Sequence, residues 1–485
     1  MKIGFSKEQI NDRLAFENPW WKEGKIESYY GSMKKRAYFD ILFPLIQESE
    51  IKRAVVIMGP RRVGKTVLMY HAIQQLIDTG VPPTSICFFS VETPIYNGIS
   101  LEELFRIFLD KNQKKHTDSI YVFFDEIQYL KNWEVHLKSL VDSYHAVKFI
   151  VSGSAAAALK LKSDESGAGR FTDFILPPLT FHEYLSLKNL ETLVTVTIEN
   201  PTGNRLNERK LFHCDDIASL NKHFIDYINF GGYPEVSLSK SIQADPGRYI
   251  RNDIVDKVLL RDLPLLYGID DIQELNSLFT YIAYHTGSEM SLDSISTSSG
   301  VSKNTIKKYI TYLEAAFLIR VIRRVDSNGK KFKRDNFFKI YLTNPSLRCA
   351  LFSPIAEDDE IAGHLVETAI FSQWQHISHT LYYGRWSQGE IDIVNLSSDQ
   401  PGWCVEIKWT NKPAEDYSLL KNVKFFCSLH HLNNPTVTTY DISKVAIIDG
   451  VEYTFIPSAL YCYQVGKNLI DWSLRKSKKT VEVVK

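Results

Sequence analysis

The sequence predicts an α/β protein of several domains, and three observations support that prediction. At 485 residues the chain is too long for a single hydrophobic core. Between residues 51 and 185, short apolar runs alternate with helical segments, which is typical of a parallel sheet covered by helices. A second α/β alternation begins at residue 336, so a further domain is expected near the C-terminal end.

Composition narrows the class of protein. The 57 basic and 57 acidic residues balance, so no global charge draws the chain to nucleic acid or to a membrane surface. The six cysteines are scattered without a C-x-x-C pair, which argues against a zinc site and a disulfide framework. Charges interrupt the N-terminal segment, and no apolar run is long enough to span a bilayer. We therefore expect a cytoplasmic protein without membrane contact.

A phosphate-binding motif follows the apolar run Ala54–Met58, which predicts a buried parallel strand. The next eight residues match G-x-x-x-x-G-K-[ST] and form what we call the P-loop: Gly59, Pro60, Arg61, Arg62, Val63, Gly64, Lys65 and Thr66. Its glycines let backbone N–H groups turn toward an anion, and the helix N-terminus that follows favours negative charge. Lys65 is expected to reach the β- and γ-phosphates during binding and catalysis, and Thr66 to ligate Mg²⁺. The motif predicts binding of ATP with Mg²⁺.

A second apolar run, Ile120–Phe124, ends in Asp125 and Glu126. This is the pattern of a Walker B strand, which is expected to lie directly beside the P-loop strand. Asp125 would hold Mg²⁺ directly or through water, and Glu126 would polarise the attacking water as a general base. The alternative is a strand that simply ends in solvated acids.

Polar residues end a third apolar run, Val147–Val151. In P-loop ATPases with an additional strand, a small polar side chain at this point senses the γ-phosphate, so Ser152 and Ser154 are candidates; an ordinary turn is the alternative. Arg170 follows a glycine-containing loop and could reach a phosphate in cis, or in trans across the interface of a homo-oligomer. A surface salt bridge would explain Arg170 equally well.

Four sequence blocks in this order resemble a known family. They are GPRRVGKT, FFDEIQYLKNW, VSGSAAA, and GRF followed by PPLTFHEYL. They resemble the AAA-type ATPases, found mostly in bacteria and archaea, that carry a C-terminal domain of unknown function. The resemblance runs from about Asn18 to Lys408. It implies an additional-strand catalytic ATPase core and a helical segment after it.

Residues 271–335 have the pattern of a winged helix. Three helices are predicted at Leu275–Tyr284, Ser291–Ser298 and Lys303–Phe317, and a strand and an Asn328–Gly329 hairpin turn follow them. In a DNA reader, the residues facing the groove would be Ser302, Lys303, Asn304 and Lys307. The alternative is a lid or a module that binds protein.

The last domain contains acids and a lysine in a suggestive order. Glu367 lies on a predicted helix, Asp392 on a strand, and Glu406 and Lys408 two residues apart on the next strand. This is the constellation of the restriction-endonuclease-like PD-(D/E)xK fold, and the pattern recurs in the family named above. Asp392 and Glu406 would bind the metal with Glu367 in support, while Glu406 and Lys408 would act in catalysis, Lys408 by orienting or activating water. The same fold also serves for binding alone.

These patterns predict an α/β chain with a P-loop three-layer ATPase core, a helical extension, a winged helix and a restriction-endonuclease-like domain. The predicted function is Mg²⁺-dependent ATP hydrolysis that acts as a switch on the attached modules, with DNA as a candidate partner. The alternative is a signalling or scaffold ATPase whose C-terminal domains bind protein and do not cleave. The predicted segments are a lead-in at 1–50, the core at 51–185, the extension with a loop insertion at 186–270, the winged helix at 271–335, the nuclease-like domain at 336–470 and a basic tail at 471–485.

Overall fold

The computed structural model describes residues 5–153, 169–199, 209–332, 336–374 and 381–483. The chain forms two compact units. The first comprises the described residues up to Pro177 together with those from Ile470 onward, and the second comprises Pro178–Leu469. In these described ranges, no helix combines the length and the apolar character needed to cross a membrane.

A five-stranded sheet forms the centre of the first unit. Its strands are β1 (Ala54–Met58), β2 (Ile86–Ser90), β3 (Ile120–Asp125), β4 (Val147–Gly153) and β5 (Phe171–Ile175). The order is β2-β3-β4-β1-β5 and every pair is parallel. Most side chains of β1 to β4 are buried, as expected for a parallel sheet covered on both faces. The prediction that β3 lies directly beside β1 is wrong, because β4 pairs with both and separates them.

The α-helices described between residues 5 and 153 are α1 (Lys7–Glu17), α2 (Trp20–Glu23), α3 (Ser28–Gly31), α4 (Phe39–Gln47), α5 (Lys65–Asp78), α6 (Leu101–Asn112) and α7 (Trp133–Ser143). Helix α1 begins with a capping box in which Ser6 and Gln9 bond reciprocally. The indole N–H groups of Trp20 and Trp21 both donate to the carbonyl of Ile86, at 3.1 and 2.7 Å. These bonds attach the lead-in segment to strand β2.

The second unit contains a two-stranded hairpin and a nine-stranded mixed sheet. The hairpin strands are β6 (Thr195–Glu199) and β7 (Arg209–His213). The larger sheet consists of β8 (Glu289–Ser291), β9 (Ile319–Val325), β10 (Phe337–Leu342), β11 (Leu381–Trp386), β12 (Gly389–Ser397), β13 (Gln400–Glu406), β14 (Thr436–Thr439), β15 (Lys444–Ile448) and β16 (Val451–Pro457). Its order is β15-β16-β14-β13-β12-β11-β9-β10-β8. Strands β9 and β10 therefore belong to the same sheet as the C-terminal strands β11 to β16, and this sheet crosses the predicted boundary at residue 335.

The α-helices that begin within the described residues of the second unit are α8 (Phe181–Leu187), α9 (Ile217–Phe230), α10 (Pro234–Leu238), α11 (Lys240–Gln243), α12 (Leu263–Tyr267), α13 (Ile272–Tyr284), α14 (Leu292–Ser299), α15 (Lys303–Ala315), α16 (Ser346–Leu351), α17 (Ala362–Ser372), α18 (Lys412–Glu415), α19 (Lys421–His430) and α20 (Ser458–Val483). Residues Gly247–Asp256 and Val258–Asp262 are π-helical and lie within the predicted helical extension. The tail predicted from residue 471 is helical as far as Val483.

Two local signals define the turn before α15. Gly300 ends α14 with a φ of 72°, a left-handed conformation that glycine adopts without steric cost. The Ser302 side chain then accepts a hydrogen bond from the Thr305 N–H and caps α15. The predicted sequence of helix, turn and helix is therefore present, and β9 and β10 follow it as an antiparallel pair.

Candidate functional site

The P-loop connects β1 to α5, which begins at Lys65. A Cβ atom at Gly59 would lie only 2.1 Å from the carbonyl oxygen of Leu176, so the close approach of these two backbone segments requires glycine. Gly64 has a φ of 94° and forms the N-cap of α5. The Lys65 ammonium donates to the carbonyls of Gly59 and Pro60, at 3.1 and 2.8 Å. The lysine therefore lies over the loop that is predicted to hold the phosphates.

Arg36 supports the P-loop from the lead-in segment, a contact that sequence reasoning missed. Its buried guanidinium donates from Nη1 to the carbonyl of Val63 at 2.8 Å and from Nη2 to the carbonyl of Pro177 at 3.1 Å. Because a buried carbonyl is costly to leave without a donor, these bonds favour one loop conformation. The only signal in the sequence was an arginine just before an amphipathic helix, which also describes many surface residues.

Asp125 lies at the carboxyl end of β3, close to the start of α5. The Thr66 hydroxyl donates to Asp125 Oδ2 at 2.7 Å, and the Ser152 hydroxyl bonds to the other carboxylate oxygen. The structure therefore brings together three residues that the sequence separates by up to 86 positions. A carboxylate beside a helix-terminal threonine is a donor set that suits Mg²⁺ bound to a nucleotide phosphate.

The environment of Asp125 shifts its ionisation. Burial, together with the neighbouring charge of Glu126, raises the pKa of Asp125 to about 6. The hydrogen bonds from Ser152 and Thr66 and the charge of Lys65 act in the opposite direction. The carboxyl group is therefore mostly ionised at neutral pH, as metal binding requires.

Glu126 follows in a left-handed backbone conformation, with a φ of 55°. Its N–H donates to Ser152 Oγ at 3.2 Å, and the side-chain amide of Gln128 bonds to its carboxylate. A left-handed glutamate is uncommon outside functional sites and tight turns, and here it directs the chain away from the end of β3. Ser152 thus contacts both acids of the predicted Walker B pair.

The other residues predicted for this site differ in placement. Arg61 donates to the hydroxyl of Tyr129 at 3.3 Å, Arg62 has a φ of 65°, and Val63 is buried. Ser154 lies outside the described residues. The structure therefore shows where the P-loop side chains lie but says nothing of Ser154.

Arg170 does not lie near the P-loop. Its carbonyl accepts from the N–H of Ala54, at the start of β1, whereas the P-loop follows the other end of that strand. Its guanidinium pairs with Asp142 at 2.9 Å, and both side chains are 44% exposed. A role in cis therefore does not fit, because the length of the strand separates Arg170 from the phosphate-binding loop.

The predicted nuclease-like residues come together in the second unit. Glu367 lies on α17, Asp392 on β12 and Glu406 at the end of β13. Lys408 Nζ lies 2.8 Å from Glu406 Oε1 and 3.3 Å from Asp392 Oδ2. Asp392 Oδ2 also accepts from the N–H of Ile407 at 2.8 Å. We call this group, together with Glu390, the acidic cluster.

A second lysine, which sequence reasoning missed, enters the acidic cluster from β10. Lys339 Nζ lies 3.0 Å from Glu367 Oε1, 2.7 Å from Glu390 Oε1 and 3.9 Å from Asp392 Oδ1. Its side chain is only 5% exposed. The available signal was a single lysine inside the apolar run FFKIYL, since a buried lysine almost always has an acidic partner.

Burial and neighbouring charges shift the pKa values of several groups in the acidic cluster. Burial, followed by the charge of Asp392, raises the pKa of Glu406 to about 8. For Lys339, burial alone would lower the pKa, but Glu367, Asp392 and Glu390 together raise it above the ordinary lysine range. Lys339 therefore remains an ammonium ion at physiological pH. Across the described part of the chain, no three or more His, Cys, Asp or Glu side chains form a group that could hold a metal ion.

Comparison with family models identifies two segments of the chain. Residues 51–185 match the model of an AAA domain. Residues 221–358 match a domain of unknown function, DUF8612. The AAA match and the parallel five-stranded sheet support an AAA-type P-loop ATPase core, so this part of the fold prediction is confirmed. The second match does not extend support to a restriction-endonuclease-like domain.

Relatives at moderate identity cover most of the chain. An uncharacterized protein of Haemophilus influenzae is 25% identical over 361 residues, which span 73% of this chain and 82% of that protein. The uncharacterized protein MJ1544 of Methanocaldococcus jannaschii is 24% identical over 410 residues, spanning 81% and 84%. Among solved structures, the Walker-type ATPase PABY2304 of Pyrococcus abyssi aligns with a TM-score of 0.34 at 14% identity, over 64% of this chain and 94% of that one.

Proposed function

We propose that this chain binds ATP with Mg²⁺ at the P-loop and hydrolyses the bond between its β- and γ-phosphates. The observation that carries the proposal is the 2.7 Å contact between the Thr66 hydroxyl and Asp125 Oδ2, at the N-terminus of α5. In this arrangement Thr66 and Asp125 would hold Mg²⁺, Asp125 either directly or through a water molecule, and the ion would neutralise charge on the phosphates. The backbone N–H groups of residues 61–66 would bind the phosphate oxygens, and Lys65 would neutralise charge on the β- and γ-phosphates.

Glu126 is the proposed general base. It follows the metal-binding carboxylate directly, and its half-buried side chain lies at the carboxyl edge of the sheet. Ser152 contacts Asp125 and the backbone of Glu126, so it is placed to respond to the γ-phosphate through both acids. Gln128 holds the Glu126 carboxylate before the water is positioned.

Two substitutions test this proposal through different steps. Lys65→Ala removes the phosphate-neutralising charge and should abolish binding of a fluorescent ATP analogue. Glu126→Gln should retain binding but lower the rate of phosphate release by about 10²- to 10⁴-fold, since only the general base is lost. A Glu126→Gln variant that turns over at the wild-type rate would remove Glu126 from the reaction.

Arg170 acts, in this proposal, only between subunits. Its exposed pair with Asp142 leaves the guanidinium at the surface, where a second copy of the chain could receive it. The rate of ATP hydrolysis should then rise more steeply than in proportion to protein concentration. Arg170→Ala should remove this steeper-than-linear dependence. An Arg170→Ala variant that hydrolyses ATP at the wild-type rate at every protein concentration would exclude Arg170 from catalysis.

The winged-helix segment favours DNA as the partner of the second unit. Ser302, Lys303, Asn304 and Lys307 are all exposed on the first turns of α15, where a recognition helix contacts a groove. A gel-shift assay at two salt concentrations should show binding that falls steeply with salt. Absence of a shift with ATP, ADP or no nucleotide would favour the alternative, in which the second unit binds protein.

The proposed location is the cytoplasm. Six free thiols and a need for MgATP suit a cytoplasmic location.

A further inference from the structure

The acidic cluster of the second unit is neutralised by side chains of the chain itself. Lys339 Nζ lies 3.0 Å from Glu367 and 2.7 Å from Glu390. Lys408 Nζ lies 2.8 Å from Glu406 and 3.3 Å from Asp392. Arg385 Nη1 binds the second oxygen of Glu390 at 2.6 Å. Four carboxyl groups thus face three cations, Lys339, Lys408 and Arg385, so most of the negative charge that would attract a divalent ion is already neutralised.

Lys339 is held at this place by the backbone on both sides. It lies near the centre of the apolar strand β10, opposite Ile322 of β9 and Glu289 of β8. Its ammonium group is therefore delivered by a strand paired on both edges, and a flexible loop is not involved. Tyr341, two residues further along the same face, donates its hydroxyl to Glu367.

The position of the Lys339 ammonium conflicts with the predicted metal site. Mg²⁺ requires near-octahedral oxygen ligands at about 2.1 Å, and Glu367, Asp392 and Glu406 were predicted to supply them. Lys339 Nζ lies between Glu367 and Asp392 instead, at 3.0 and 3.9 Å from their oxygens. A cation bound by both carboxylates would have to displace this ammonium from a site where it is nearly fully buried.

One oxygen of the cluster still lacks a donor. Glu406 Oε2 is buried and has no hydrogen-bond partner among the described residues. A metal ion at this oxygen would lie beside Lys408, whose Nζ contacts the other oxygen of the same carboxylate. Like-charge repulsion at this distance opposes such binding.

We propose that Lys339 is the resident cation of the acidic cluster, and that the cluster consequently binds no divalent metal ion and does not cleave nucleic acid. The cluster then serves to fasten three parts of the second unit together. Lys339 belongs to β10, Glu367 to α17, and Asp392 to β12. The inference goes beyond ATP hydrolysis and does not depend on it.

Binding of Mn²⁺ to the nucleotide-free full-length chain tests the proposal, with the free ion measured by electron paramagnetic resonance. Every protein carries Asp125→Asn, so that the P-loop contributes no metal site. With the cluster intact, and with Lys339→Arg, no stoichiometric binding is expected. Lys339→Met removes the cation and should create a site at least about tenfold tighter than any residual binding. Adding Asp392→Asn to Lys339→Met should abolish that new site.

Three results would overturn the proposal. The first is one bound Mn²⁺ per intact chain that disappears with Asp392→Asn. The second is a Lys339→Met protein that keeps its circular dichroism spectrum but gains no site. The third is Mn²⁺-dependent cleavage of plasmid DNA that Glu406→Ala abolishes. If Lys339→Met fails to fold, the intact cluster and Asp392→Asn still decide the outcome, since equal absence of binding supports the proposal and a difference overturns it.

Discussion

At the scale of single residues, Asp125 shows how a functional group acts against stability. The carboxyl group is buried and lies beside Glu126, and both facts favour its neutral form. Its pKa is raised from 3.8 to about 6 in the folded chain. The folded state therefore binds the proton more tightly than the unfolded state, and this group makes the nucleotide-free protein less stable as pH rises through that window. Above about pH 6, the folded protein bears the full free-energy cost of a buried, ionised Asp125.

Replacing Asp125 by Asn should therefore stabilise the nucleotide-free protein. At pH 8 we expect a gain of about 1–2 kcal/mol in the free energy of unfolding, because the penalty of a buried carboxylate is removed while one hydroxyl donor keeps its acceptor. The gain should shrink as pH falls toward 4, where the native carboxyl group is already protonated. Urea titrations at several pH values measure this, alongside a loss of Mg²⁺-dependent ATP hydrolysis.

A matched control is available at the surface of the same unit. The side chain of Asp142 is 44% exposed and pairs with Arg170, whose side chain is equally exposed. Asp142→Asn should change stability by no more than about 0.5 kcal/mol at any of these pH values. If both variants gained equally, the effect would come from net charge, and the argument from burial would fail.

At the scale of elements, the sequence predicts where the strands lie along the chain but does not predict which strands are neighbours in the sheet. The apolar runs predicted at 54–58, 120–124 and 147–151 each form a strand, because an apolar β-branched stretch is a local property; the second strand extends to Asp125 and the third to Gly153. The order in the sheet depends on pairing between distant segments. The expected contact of β3 with β1 was wrong for this reason, since β4 is inserted between them.

The same distinction applies to the sites. The Thr66–Asp125 contact is predicted from two motifs, because each motif specifies a position at the carboxyl edge of the sheet. Lys339 was missed because its partners lie 28, 51 and 53 positions away and only the folded sheet brings them near. The strand that carries it was assigned to a new domain, although the turn at Gly329, with a φ of 70°, marked a hairpin.

At the scale of the whole molecule, the nine-stranded sheet changes how a nucleotide switch can act. Strand β11 pairs in parallel with β9, joining Tyr382–Gly384 to Arg323–Val325. Strands β9 and β10 and the C-terminal strands are therefore not independent bodies. A signal from ATP hydrolysis that reaches the second unit should move both together.

The ATP and ADP states should differ in the helical extension at residues 186–270. Residues 186–270 precede the sheet and include the π-helical turns, whose hydrogen bonding is less regular than that of an α-helix. We expect their protection from limited proteolysis to differ between Glu126→Gln with ATP and the wild type with ADP. Amide exchange at Tyr382–Gly384 should be equally slow in both states, because breaking the β9–β11 pairing would open the sheet. Lys65→Ala incubated with ATP is the control and should match the nucleotide-free protein. Identical digestion in the two states would count against the switch, and faster exchange at β11 in one of them would show that the sheet itself is the moving part.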